Sequence, residues 1–246
     1  MKGLVTEMFF LRTIACLSVV FIHAISVTFE NLEIRKDPDY FLINSILFAI
    51  QILLMFGTPM FVFISEFLLS YAYKDKMPSG FMKKRIKYIL IPYVSMGIFY
   101  SFVRAVEQGI NSFDTFLPMA AKMIFLGDFH GYFILIIFQF YLLHYVFVTY
   151  VEKFNTKYVI AVSVVINLLY LGFFNFQSKP VFIEQFYWEF IMKMPFLAWI
   201  AYFVIAFYCG RNLEKLKTLL SKYNKLALLT PFVTGVVVLV MCYSGL

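Results

Sequence analysis

The stretch "MFFLRTIACLSVVFIHAISVTF", Met8 to Phe29, decides the fold class. It is apolar throughout except for Arg12, His23 and a few small hydroxyl-bearing side chains. A helix needs about 20 apolar residues to cross a bilayer, and this run is long enough. No small-residue cleavage site follows it, so it reads as an uncleaved first helix rather than a signal peptide. Arg12 and His23 stand eleven positions apart. At 3.6 residues per turn that is about three turns, which puts both on one helix face, roughly 16 Å apart along the axis.

The rest of the chain agrees with this start. Of 246 residues, 62% are hydrophobic, 21% aromatic and only 14% charged. Soluble domains carry about 25% charged residues. With a mean hydropathy of +0.83, the composition excludes soluble globular, disordered and disulfide-rich classes. Cys16, Cys209 and Cys242 each lie in an apolar run and form no CxxC pair, so they read as small buried hydrophobes.

Seven membrane segments are expected, near 8–29, 43–73, 88–106, 131–151, 157–175, 190–209 and 227–245. The second is too long for one straight span. It contains "FGTPMF", where Gly57 and Pro59 should bend or break it. Residues 113–127, "FDTFLPMAAKMIFLG", are too short to cross and read as an interfacial or re-entrant piece. There is no internal repeat and no low-complexity tract. The expected fold is an all-α polytopic transmembrane bundle of about seven helices, one domain over 1–246.

Loop charge sets the orientation. Between segments 2 and 3, "KDKMPSGFMKKRIK" carries Lys74, Lys76, Lys83, Lys84, Arg85 and Lys87 against Asp75. Between segments 6 and 7 stand Arg211, Lys215, Lys217, Lys222 and Lys225 against Glu214. The loop with Glu152, Lys153 and Lys157 is net positive too. The positive-inside rule places all three in the cytoplasm, with the N-terminus. Topology and anionic lipid account for the net charge of +7 without any nucleic acid.

Ionisable residues within spans are candidate functional groups. Arg12 has two readings: a snorkelling anchor at the inner interface, or a planar, permanently charged fork for a phosphate or carboxylate. His23 lies toward the outer leaflet, where no anchor role applies. It is either a hydrogen-bonded interior histidine or a general base for a hydroxyl. Such a pair suits group transfer across a membrane, with an anionic donor at the inner face and an acceptor activated deeper in.

Arg12-x10-His23 resembles the first-helix signature of the membrane-bound acyltransferase-3 family. Three further stretches strengthen the resemblance. "FGTPMFVFISEFLL" looks like a family segment ending in Ser-Gly-Phe-Leu, "FMKKRIKYILIPY" like its basic stretch, and "FHGYFILIIFQFY" like its His-x-aromatic-Phe segment. The likeness is greatest to the branch of intercellular-adhesin biosynthesis proteins regarded as O-succinyltransferases.

The resemblance implies O-acyl transfer, acetyl or succinyl, from acyl-CoA to an exported surface polysaccharide at the bacterial plasma membrane. It implies no bound cofactor. It makes His23 catalytic and Arg12 a donor-handling residue. It matches a donor-site arginine to Arg85, flanked by Lys83, Lys84 and Lys87; these lysines serve topology and headgroup binding equally well. Tyr93 either lines that site or sits at the interface. Glu66 stands where relatives have a small residue, and reads either as a cavity group partnering Arg12 or Arg85 or as a carboxylate snorkelling inward. Asp128 and His130 read as acceptor contacts or an interfacial polar pair. His144 reads as a core histidine, and Trp188 and Trp199 as interfacial or packed. No HExxH, GxSxG, P-loop or metal-ligand cluster occurs.

Relatives carry more helices than this chain, which raises the expectation of missing C-terminal helices. Two other functions stay open: a transporter of polysaccharide or lipid-linked sugar, and a non-catalytic partner of glycan synthase or export components.

Overall fold

The computed structural model describes residues 2–31, 40–74, 77–151 and 153–244. It is 85% helical, with no strand among the described residues. Asp75, Lys76 and Glu152 of the basic and inner loops lie outside the described residues.

Helix α1 runs Lys2–Asn31, α2 Phe41–Leu54 and α3 Gly57–Ala72. Helix α4 runs Phe81–Glu107, α5 Phe113–Leu126, α6 Phe133–Val151 and α7 Thr156–Phe176. Then come α8 Gln185–Lys193, a 3-10 turn Phe196–Trp199, α9 Ile200–Arg211, α10 Leu213–Lys222 and α11 Asn224–Ser244. Among the described residues, six helical stretches are long and apolar enough to cross a membrane. The pair α8 and Phe196–Arg211, bent by 52°, makes a seventh if taken as one broken span. The chain divides into two compact units, Met1–Leu68 with Tyr208–Leu246, and Leu69–Phe207.

The long second segment breaks where glycine and proline interrupt it. The α2 ladder closes with the Met55 amide donating to the Ile52 carbonyl, and α3 starts at Gly57. A Cβ at Gly57 would stand 3.0 Å from Val19 Cγ2 and 3.1 Å from the Ala15 carbonyl oxygen. Glycine is therefore what lets the start of α3 lie against α1, the small-residue approach common between membrane helices.

The third span begins earlier than its apolar run. The basic stretch is helical from Phe81, passes through a π-helical turn at Ile86–Leu90, and continues through Pro92. Proline lacks the amide that an α-helical ladder needs there. The wider turn accommodates this, with the Ile91 amide reaching Ile86 five residues back. Arg85 and Lys87 thus lie on a helix, not in a loop. Helix α5 is capped at Ser112, whose hydroxyl accepts from the Asp114 amide at 3.3 Å. It ends at Gly127, whose φ of +65° is a left-handed helix stop. At about 21 Å it is too short to cross a hydrocarbon core of about 30 Å.

The break before α9 is held from its sides. Asn167 of α7 donates to the Leu197 and Ala198 carbonyls at 3.1 and 2.8 Å. Gln139 of α6 donates to the Met194 carbonyl at 2.9 Å and accepts from the Phe196 amide at 3.0 Å. Trp199 Nε1 donates to the Lys193 carbonyl at 2.7 Å, and the Tyr170 hydroxyl donates to the Ile191 carbonyl. Non-helical backbone at membrane depth survives where protein groups replace the lost ladder bonds.

Candidate functional site

On α1 the residues buried among those described are Met8, Ala15, Ser18, Ile25 and Phe29. At about 100° per residue they span an arc of roughly 100°. Arg12 and His23 fall about 20° from each other and a quarter-turn or more from the centre of that arc. The pair shares one face, and that face flanks the packed stripe. Arg12 is exposed and His23 half-buried.

Gln51 of α2 meets α1 at the turn carrying His23. Its amide donates to the Ser26 hydroxyl at 2.7 Å and approaches the Ile22 carbonyl at 3.4 Å. Nothing in the motif reading singled out Gln51. Its signal is an amide in the otherwise apolar run "FAIQILL".

Glu66 is 1% exposed on α3. This overturns the snorkelling reading: a carboxylate reaching for solvent would not be enclosed, and a buried charge requires compensation by its surroundings.

Arg85 has a defined seat. Its guanidinium carbon lies 4.8 Å from the centre of the Phe81 ring and 5.3 Å from that of Tyr141. The two rings meet edge to face at 5.5 Å, within a core of Leu69, Phe81, Ile137 and Tyr141. Stacking on ring faces holds the guanidinium plane while its edge N–H groups remain suited to an anion. Lys83, Lys84 and Lys87 are exposed, with Lys87 Nζ 5.4 Å from the ring centre of its neighbour Tyr88. Tyr93 is buried, and its hydroxyl donates to the Ile124 carbonyl at 2.7 Å. That bond ties α4 to α5.

Asp128 is an ion-pair centre. Arg104 Nη1 donates to its Oδ2 at 2.8 Å, and Lys122 Nζ stands 3.8 Å from the same oxygen. Exposed His130 lies near Tyr100, with ring centres 6.0 Å apart. Arg104, Lys122 and Tyr100 escaped the sequence reading because they meet Asp128 and His130 only through folding.

His144 is fully buried, edge-on to Phe207 at 5.8 Å, as befits a core histidine. Trp188 packs on Phe174 at 4.8 Å. The cysteines depart from expectation: Cys16 and Cys242 are exposed and Cys209 is partly so. Apolar spans expose side chains to lipid, so a hydrophobic cysteine there need not be buried in protein.

Spans, an apolar exterior and a few intramembrane polar groups define a multi-pass membrane protein. The acyltransferase domain family matches residues 7–246, and the chain belongs to that family. It is 36% identical over 247 residues to YfiQ of Bacillus subtilis, named as a membrane-bound acyltransferase; the match covers 98% of this chain and 66% of the relative. It is 30% identical over 227 residues to Staphylococcus aureus proteins named as poly-beta-1,6-N-acetyl-D-glucosamine export proteins, covering 91% of this chain and 61% of theirs. A Staphylococcus epidermidis protein of the same name is 30% identical over 248 residues, with 100% of this chain and 66% of the relative covered. The chain thus spans 61% to 66% of the length of these relatives. No solved structure matches it.

Proposed function

We propose that this chain serves O-acyl transfer from a cytoplasmic acyl-CoA to a hydroxyl of an exported polysaccharide. The observation that carries the reading is the placement of His23. It is a half-buried imidazole on the flank of α1, with Gln51 gripping the same turn and exposed Arg12 on the same face three turns away.

In this reading the coenzyme A phosphates meet cations at the inner face. Arg85 contributes a stacked fork, and Lys84 and Lys87 add diffuse positive charge on the same helix; Arg12, taken by itself on α1, keeps the donor-handling role that the family resemblance implies. His23 takes the proton of the acceptor hydroxyl as its oxygen attacks the thioester carbonyl. The new C–O bond forms, the C–S bond breaks, and coenzyme A leaves as a thiolate that then takes up a proton. Relay of the acyl group outward is the other role open to His23. Glu66, buried on α3, is a cavity group on this view.

The test is mass analysis of surface glycan from deletion, wild-type and His23→Ala strains. Acyl content falls to the deletion level in His23→Ala while the protein still inserts. Unchanged acyl content in that strain rules out the catalytic role.

A second reading, polysaccharide export, draws on the names of the staphylococcal relatives. It predicts that deletion abolishes export of the glycan itself. Acyl transfer predicts export of a glycan that lacks the acyl group.

A further inference from the structure

We infer that Tyr100, Arg104, Lys122, Asp128 and His130 form a saccharide-binding subsite for the acceptor glycan. The inference rests on the acyl-transfer reading for the ligand's identity, but its geometry lies wholly within the unit Leu69–Phe207.

Tyr100 and Arg104 are four apart on α4 and so share a face. That face meets the loop after α5. Gly127 turns the chain there, and a Cβ on it would lie 2.7 Å from Met194 Cε and 2.9 Å from Tyr132 Cβ. The tight turn sets Asp128, Phe129 and His130 opposite α4. Tyr100 lies 5.5 Å from the Phe129 ring and 6.0 Å from that of His130. Lys122 sits 3.7 Å over the Phe186 ring centre and 5.6 Å from that of Tyr187, whose side is 41% exposed.

Two features favour a ligand over a purely structural cluster. Arg104, Asp128 and Lys122 keep 37%, 22% and 32% of their side chains exposed, and ion pairs so accessible contribute little to stability. Both cations also converge on the same carboxylate oxygen, Oδ2. A sugar presents an apolar C–H face and a ring of hydroxyls. Aromatic faces at Tyr100, His130 and Tyr187 suit the first. A carboxylate acceptor beside guanidinium and ammonium donors suits the second. Under the positive-inside orientation the α4–α5 connection faces outward, where an exported glycan would be met.

The test uses the full chain in lipid nanodiscs and a β-1,6-linked N-acetylglucosamine oligosaccharide as probe, with binding read by saturation-transfer NMR and titration. Tyr100→Leu and Asp128→Asn each weaken binding at least tenfold. Lys122→Gln, at an accessible position, weakens it several-fold and serves if the other two fail to insert. Glu214→Gln, at an exposed position on α10 that belongs neither to the subsite nor to the proposed chemistry, binds the probe as the wild type does. Absence of binding by the wild type, or unchanged binding in every inserted subsite variant, overturns the proposal. If binding follows the subsite variants while glycan from His23→Ala cells keeps its acyl content, the subsite stands and the catalytic reading fails. If His23→Ala abolishes acylation while the subsite variants bind normally, the reverse holds.

Discussion

Gln51 donates its side-chain amide to the Ser26 hydroxyl at 2.7 Å, and the bond falls on the turn of α1 that carries His23. The same amide nears the carbonyl of Ile22, the residue whose peptide bond leads into His23. Farther down, Gly57 of α3 lies against Ala15 and Val19 of the same helix. Contacts at two heights restrain rotation of α1 about its axis, and under the proposed mechanism such rotation would swing the imidazole away from the acceptor hydroxyl. A misplacement of about 1 Å in a reacting group can cost on the order of a hundredfold in rate.

Gln51→Leu should therefore lower kcat by about ten- to a hundredfold, with KM for acyl-CoA little changed. Ser26→Ala should give a similar loss, and the double variant should lose no more than the worse single variant. Additive losses in that cycle would mean the two residues act separately.

Arg85 should tolerate lysine poorly. Lysine keeps the charge but loses the planar fork and the stacking on Phe81 and Tyr141. Arg85→Lys should raise KM for acyl-CoA by about tenfold, which corresponds to about 1.4 kcal/mol. Tyr141→Leu removes one stacking face and should raise it less. Equal KM in wild type and Arg85→Lys would show that only charge matters there.

Asn167→Ala should destabilise the second unit without touching the proposed chemistry. It strips the donor from two carbonyls, Leu197 and Ala198, at the break before α9. Leaving buried acceptors unsatisfied costs about 1–3 kcal/mol. Thermal or denaturant unfolding in nanodiscs reads the loss; an unchanged midpoint would mean that water or lipid headgroups reach the break.

Acid should loosen α10. The hydrogen bond from Lys217 holds the Glu214 carboxyl below its ordinary pKa, with the lysine charge adding to the effect. A lowered folded-state pKa supports structure above the unfolded value, and that support fades as pH falls through the folded value. Amide chemical shifts of α10 should move toward coil values over that acidic window in the wild type and stay flat in Glu214→Gln. The effect is small because Glu214 is fully exposed.

Much of the architecture was legible before folding. Apolar runs near 20 residues located each spanning segment, and "FGTPMF" marked the division between α2 and α3. The short run at 113–127 became α5. What escaped has local or long-range causes. The basic stretch read as loop because charge masked helical continuity from Phe81. The cysteines read as buried because hydrophobicity does not separate a protein core from lipid. Asp128 gained partners from Arg104, 24 positions earlier, and Lys122.

The sequence alone determined that this is an all-α membrane chain and that Arg12 and His23 share a helix face. Both follow from local rules: the length an apolar helix needs to cross lipid, and the helical repeat. Only the tertiary structure decided that this face flanks the packed stripe, that Gln51 grips its turn, that Glu66 is enclosed, and that Asp128 gathers two cations. The physical reason is that lipid tails are as apolar as leucine, so hydrophobic patterning does not say which side of a spanning helix meets protein. That choice is made by close packing at residues such as Gly57 and by polar bonds between helices, which exist only once the helices have met.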